Sequence, residues 1–146
     1  MGTVNGILNQ KPVRKLLSAL PDETVLTATQ RMNEFGVGAL LVMEAGRIVG
    51  IFTERDVLRR VVAEELDPAI TPVGDVMTRQ VACCTLEMSV DDVQNLMRHC
   101  RIRHLPVIDD QENVLGIISI GDVNAYHASN QDVTIHYLHE YLYGRW

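Results

Sequence analysis

Apolar positions along this chain follow one order of spacings, and the order occurs twice. Val25, Ala28, Met32 and Phe35 recur at the interval of a single helical face, and Thr24 in front of them suits an N-cap. After Gly36 the period changes. "VGALLVM" and "RIVGIF" are short apolar runs joined by Glu44, Ala45 and Gly46, the pattern of a β-hairpin. A helix over residues 54–65 should follow. Val90, Val93, Met97 and Cys100 then mark a second amphipathic helix behind Ser89, with Asp92 placed to complete a capping box and Cys100 expected in the core. "HLPVI", the turn "DDQEN" and "VLGIIS" repeat the hairpin with one residue added in the turn. The chain is therefore an internal duplication.

Between the copies lies "ELDPAITPVGDV", in which Pro68 and Pro72 end the preceding helix and predict an extended connector. The resulting division is residues 1–68 for the first motif with its N-terminal segment, 69–128 for the second motif and 129–146 for a tail. Each motif has roughly 60 residues, a size at which independent stability is marginal, so the two apolar sheets are expected to cover one another in one domain. In the tail, "DVTIHYLHEYLYGRW" sets Ile135, Leu138 and Leu142 at helical spacing. That C-terminal helix either caps its own domain or offers an association surface.

Composition narrows the class. The chain has 146 residues, 47% of them hydrophobic, as a globular core requires. Thirteen Lys and Arg against nineteen Asp and Glu give a net charge of −6, which argues against nucleic acid as a partner. No apolar run approaches the roughly 20 residues of a membrane span, and the first residues lack a signal peptide's apolar region. A membrane is not expected as a partner, and the expected location is the cytoplasm. Cys83, Cys84 and Cys100 form neither a CxxC pair nor a disulfide framework and are expected as free thiols.

The chemistry concentrates in a repeated heptapeptide. "GIFTERD" at residues 50–56 returns as "GIISIGD" at residues 116–122. In each, a strand ends at Thr53 or Ser119 and a helix begins, so unpaired amides and the positive end of the helix dipole face a phosphate-sized space. Asp56 and Asp122 lie one turn into the helix, where a carboxylate can accept hydrogen bonds from the two hydroxyls of a ribose. Phosphate and ribose together describe a nucleotide. The same Thr/Ser-x-x-Asp pattern is also a helix capping box, which needs no ligand. Basic residues favour the nucleotide: Arg55 stands inside the first heptapeptide, and Arg103 and His104 open the matching hairpin of the second copy.

"GIFTERDVLRRV" and "RIRHLPVIDDQENVLGIISIGDV" resemble the two halves of a tandem CBS-domain pair, the cystathionine β-synthase type of regulatory module. The resemblance extends over residues 4–128. It implies an α/β (α+β) fold of two β-α-β-β-α motifs packed about a pseudo-two-fold axis, with clefts that in many members hold AMP, ADP, ATP, NAD or S-adenosylmethionine. The family's hydroxyl and carboxylate positions map onto Thr53 and Asp56 and onto Ser119 and Asp122, and its basic pair onto Arg103 and His104. Clefts shared crosswise would bring the stretch around Lys11 to Asp122 and the stretch around Thr78 to Asp56. The copies differ, since Gly38 and Ala39 stand where the second has Arg103 and His104, and Leu41 stands where it has Pro106. Copy two is the better equipped for phosphate.

Other signals carry less. "GVGALL" runs from helix into strand, the reverse of a dinucleotide fingerprint, and His136, His139 and Glu140 lack a convincing third partner for a metal. Nothing pairs a nucleophile with a base, so neither an enzyme nor a catalytic cofactor is expected. The expected function is a regulatory module that senses an adenosine ligand (AMP, ATP or NAD foremost), forms a homodimer and signals to a protein partner not identified by the sequence. The alternatives are a ligand-free dimerisation module and an enzyme acting on nucleotides.

Overall fold

A computed structural model of the chain describes residues 2–11 and 16–129. The expected C-terminal helix, with His136, His139 and Glu140, lies outside the described residues. The chain divides into two compact units, one of residues 15–82 and the other of residues 1–14 together with 83–146.

In the first of these units, β1 (Ser18–Ala19) is followed by α2 (Val25–Phe35), β2 (Ala39–Glu44) and β3 (Arg47–Thr53), the helix α1 (Val4–Gln10) lying in the other unit. The sheet order is β1-β2-β3, with β1 parallel and β3 antiparallel to β2. Thr24 caps α2 by accepting from the Thr27 amide, and Gly36 ends the helix in the left-handed region at φ 65°. Val25, Ala28 and Met32 face the core. Phe35, expected on the same face, is 52% exposed because it occupies the last helical position, beside the turn. Ala45 and Gly46 both take positive φ between the paired ends Glu44 and Arg47, the geometry that a two-residue hairpin loop demands. Residues 39–42 are buried without alternation, as in a strand covered on both faces.

The helix expected over residues 54–65 is not uniform. It starts as α3 (Glu54–Asp56) and widens over Val57–Val62 into a π-helix, with the Ala63 amide reaching the Leu58 carbonyl at 3.0 Å. The connector is not extended either. The Asp67 carbonyl accepts from the Ile70 and Thr71 amides and the Thr71 hydroxyl, and α4 (Val73–Val76) follows. The carbonyls of Pro68 and Thr71 satisfy the Leu26 and Val25 amides at the start of α2, which a helix start cannot bond internally. The connector therefore closes the first motif's unit.

The other unit repeats this plan with the N-terminal segment in the connector's place. Its elements are α1 (Val4–Gln10), α5 (Val90–Cys100), β4 (His104–Ile108), β5 (Val114–Ser119) and α6 (Ile120–Ser129). The Val90 amide bonds the Gly2 carbonyl, and the Val4 amide bonds the Met88 carbonyl. Strand β4 pairs antiparallel with β5, and Cys84 adds one parallel bridge to Val107. Burial pushes the Cys84 thiol up to about 11. Val90, Val93 and Met97 are buried, whereas Cys100 is exposed and not in the core, again at the end of its helix. Ser89 accepts from the Asp92 amide, which is the cap half of the expected box. Arg101 then takes the left-handed C-cap that Gly36 holds in the first copy.

Candidate functional site

Both heptapeptides form the same frame. Thr53 and Ser119 end their strands, and the first helical amide after each returns to the facing chain: Glu54 to the Gly38 carbonyl at 3.1 Å, Ile120 to the Arg103 carbonyl at 2.8 Å. In register, Ala39 lies opposite Thr53 and His104 opposite Ser119. The hydroxyl and carboxylate close a reciprocal capping box in each copy. Asp56 Oδ2 accepts from the Thr53 amide at 3.0 Å and Asp122 Oδ2 from the Ser119 amide at 2.7 Å, and the Asp56 and Asp122 amides donate back to Thr53 Oγ1 and Ser119 Oγ. Several helix-start amides expected to face a ligand are thus bonded within the protein.

The leading glycine of each heptapeptide has a packing role that its sequence position alone does not reveal. A Cβ at Gly50 would stand 2.5 Å from Met77 Sδ and 2.9 Å from the Thr78 carbonyl oxygen. One at Gly116 would meet a Leu8 methyl at 3.2 Å. Each glycine lets the companion segment lie against the strand, and that segment delivers a third residue to the carboxylate.

The delivered residues differ. In the first copy, Thr78 pairs through its backbone with Ile51, both bonds at 2.9 Å, and its hydroxyl donates to Asp56 Oδ1 at 3.0 Å. Arg60 places Nε 3.6 Å from the same oxygen and bonds the Met77 carbonyl. Asp56 is 5% exposed. In the second copy, Lys11 Nζ donates to Asp122 Oδ2 at 2.8 Å and to the Ile117 carbonyl at 2.7 Å. The Asp122 side chain is 23% exposed.

The structure therefore brings Thr53, Asp56 and Thr78 together, and separately Ser119, Asp122 and Lys11. It sets His104 across from Ser119 and the Arg103 backbone against the start of α6. Arg55 lies half-buried in the first turn of α3. Arg60 escaped the sequence reading, although its place four residues after Asp56 is the spacing at which helical side chains meet.

A duplicated hairpin-and-helix frame, each copy completed by a segment from before the other, defines a tandem two-motif module. The family model for the CBS domain matches residues 6–63 and 73–128, and the chain belongs to that family. It is 36% identical over 111 residues to the CBS domain-containing protein YhcV of Bacillus subtilis (strain 168), covering 76% of this chain and 78% of that one. Among solved structures, it resembles a CBS-domain protein of Burkholderia ambifaria MC40-6 at 39% identity and a TM-score of 0.85, covering 89% of this chain and 96% of that one. The CBS domain protein PAE2072 of Pyrobaculum aerophilum, solved with AMP, shares the fold at 23% identity and a TM-score of 0.71, over 82% and 88% of the two chains. Among the described residues, no helix is long and apolar enough to cross a membrane, and no group of three or more His, Cys, Asp and Glu is placed to hold a metal.

Proposed function

We propose that the protein is a regulatory module that binds an adenosine nucleotide at Ser119 and Asp122, with Thr53 and Asp56 as a second, weaker site. The observation that carries this reading is the partly exposed Asp122 carboxylate at the start of α6, beside a lysine ammonium, with His104 in register with Ser119 on the neighbouring strand. A carboxylate so placed can accept both ribose hydroxyls, while Lys11, Arg103 and His104 offer charge for phosphate. The AMP held by the Pyrobaculum protein supports the ligand class. So does the CBS pair of MJ0100, solved with 5-methylthioadenosine and S-adenosyl-L-methionine, at 22% identity and a TM-score of 0.76. The Burkholderia relative is named for signal transduction, which supports a regulatory role. Binding changes the surface that the module shows to a protein partner. The module acts as a homodimer in the cytoplasm and is not an enzyme.

The test is titration of AMP, ATP and NAD into wild type, Asp122→Asn, Asp56→Asn and the double variant. Losing charge-assisted hydrogen bonds to ribose weakens binding about ten- to a hundredfold at Asp122 and less at Asp56. Equal affinity in all four proteins overturns the adenosine site. The two closed capping boxes favour one competing reading, a structural module without ligand. Failure of every adenosine ligand to raise thermal stability would select it.

A further inference from the structure

One oxygen of the second copy's carboxylate is already occupied. Asp122 Oδ2 receives both the Lys11 ammonium and the Ser119 amide, and Lys11 is anchored a second time on the Ile117 carbonyl. In the first copy the charge stands farther off, with Arg60 Nε 3.6 Å from Asp56 Oδ1. There the Ile51 carbonyl takes a backbone amide from Thr78, and Asp56 takes the Thr78 hydroxyl. The second site is therefore closed by a cation on a flexible four-carbon stem, 28% exposed, whereas the first is closed by backbone pairing.

We infer that Lys11 selects for phosphorylated nucleosides at the second site, a role that rests on the adenosine reading above. Lys11 neutralises Asp122 in the unliganded protein and transfers to the phosphate as the ribose hydroxyls take its place on the carboxylate. A neutral nucleoside must break the same ion pair and supplies no anion in return, so the ammonium loses a charge-assisted partner. A nucleotide replaces one carboxylate with a phosphate and keeps the cation paired. The site thus excludes adenosine by the same contact that admits AMP.

The experiment is calorimetric titration of AMP and of adenosine into the full chain, its Lys11→Met and its Lys11→Arg variants, after circular dichroism shows that each is folded. In Lys11→Met, AMP should bind roughly tenfold or more weakly, from the loss of one charge-assisted contact, while adenosine binds several-fold more tightly because no ion pair opposes it. Lys11→Arg should keep the preference for AMP. Equal shifts of both ligands in Lys11→Met, or no shift of either, overturn the selectivity role. The site reading then still stands or falls on Asp122→Asn titrated with AMP. If neither ligand binds wild type or Lys11→Met, the selectivity role fails, and the titrations with ATP and NAD decide the adenosine reading separately.

Discussion

The two heptapeptides spell one solution, yet the two copies complete it in different chemistry. Around Asp56 the companion segment leaves α4 after Val76 in extended conformation, so that Thr78 joins the edge of β3 and turns a neutral hydroxyl to the carboxylate. Around Asp122 the companion helix α1 runs on to Gln10, and the next residue, Lys11, reaches strand and carboxylate with one side chain. A few residues' difference in helix length accompanies the exchange of a neutral hydroxyl on a buried carboxylate, with Arg60 3.6 Å off, for a direct, partly exposed ion pair. The lesson is that duplication preserved the frame of the site while its third corner diverged. The first copy's carboxylate is buried, and the second's is partly exposed beside its lysine.

The largest effect that would break this comparison is expected at the leading glycines. Gly50→Ala forces a methyl against the Met77 sulfur and the Thr78 backbone and should cost about 1–3 kcal/mol by overpacking. Gly116→Ala meets only the flexible end of Leu8 and should stay within about 1 kcal/mol, since alanine also lowers the chain entropy lost on folding. Urea unfolding of the two variants decides. Equal losses would mean that both companion segments are held alike.

Next come the carboxylates in the unliganded protein. Asp56→Asn leaves the partly buried donors of Thr53 and Thr78 with a poorer acceptor at a buried position and should destabilise by about 1–3 kcal/mol. Asp122→Asn disturbs a cap and a partly exposed ion pair and should cost at most about 1 kcal/mol. Melting temperatures of the apo variants measure the difference. A greater loss at Asp122 would contradict the ranking of the two carboxylates by burial.

The smallest effect is a pH dependence from an ion pair whose matching positions in the second motif are uncharged. Arg31 grips Glu23 through two hydrogen bonds of 2.8 and 2.9 Å and holds its carboxyl below the ordinary 4.5. The second motif has Met88 and Leu96 at the matching positions. Because the folded value is depressed, the contribution is full above the unfolded value and fades as pH falls through the folded one. Glu23→Gln should therefore lose up to about 1 kcal/mol at neutral pH, kept small by exposure, and converge with wild type in acid. A difference that persists unchanged at pH ~3 would remove the ion pair as its cause.

Helices, hairpins and the repeated heptapeptide were legible because each has a local cause. A 3.6-residue spacing sets Val25, Ala28 and Met32 on one face, Ala45-Gly46 accepts the positive φ of a two-residue loop, and Thr-x-x-Asp closes its own box within four residues. Helix ends were less legible. Periodicity extends a face to Phe35 and Cys100, but burial of a terminal position depends on what neighbouring elements cover, and both are exposed. The π-helical turn at Val57–Val62 and the short helix α4 left no periodic signal of their own.

By itself the sequence determined the duplication, the strand-to-helix frame and the pairing of hydroxyl with carboxylate, since these depend on residues a few positions apart. Only the tertiary structure decided what completes each frame. The Lys11–Asp122 and Thr78–Asp56 contacts join residues far apart in the chain, and their geometry depends on where α1 and α4 end and on how closely Gly116 and Gly50 admit them. A side chain's reach to a distant carboxylate is fixed by packing on strands already formed, and no local pattern encodes it.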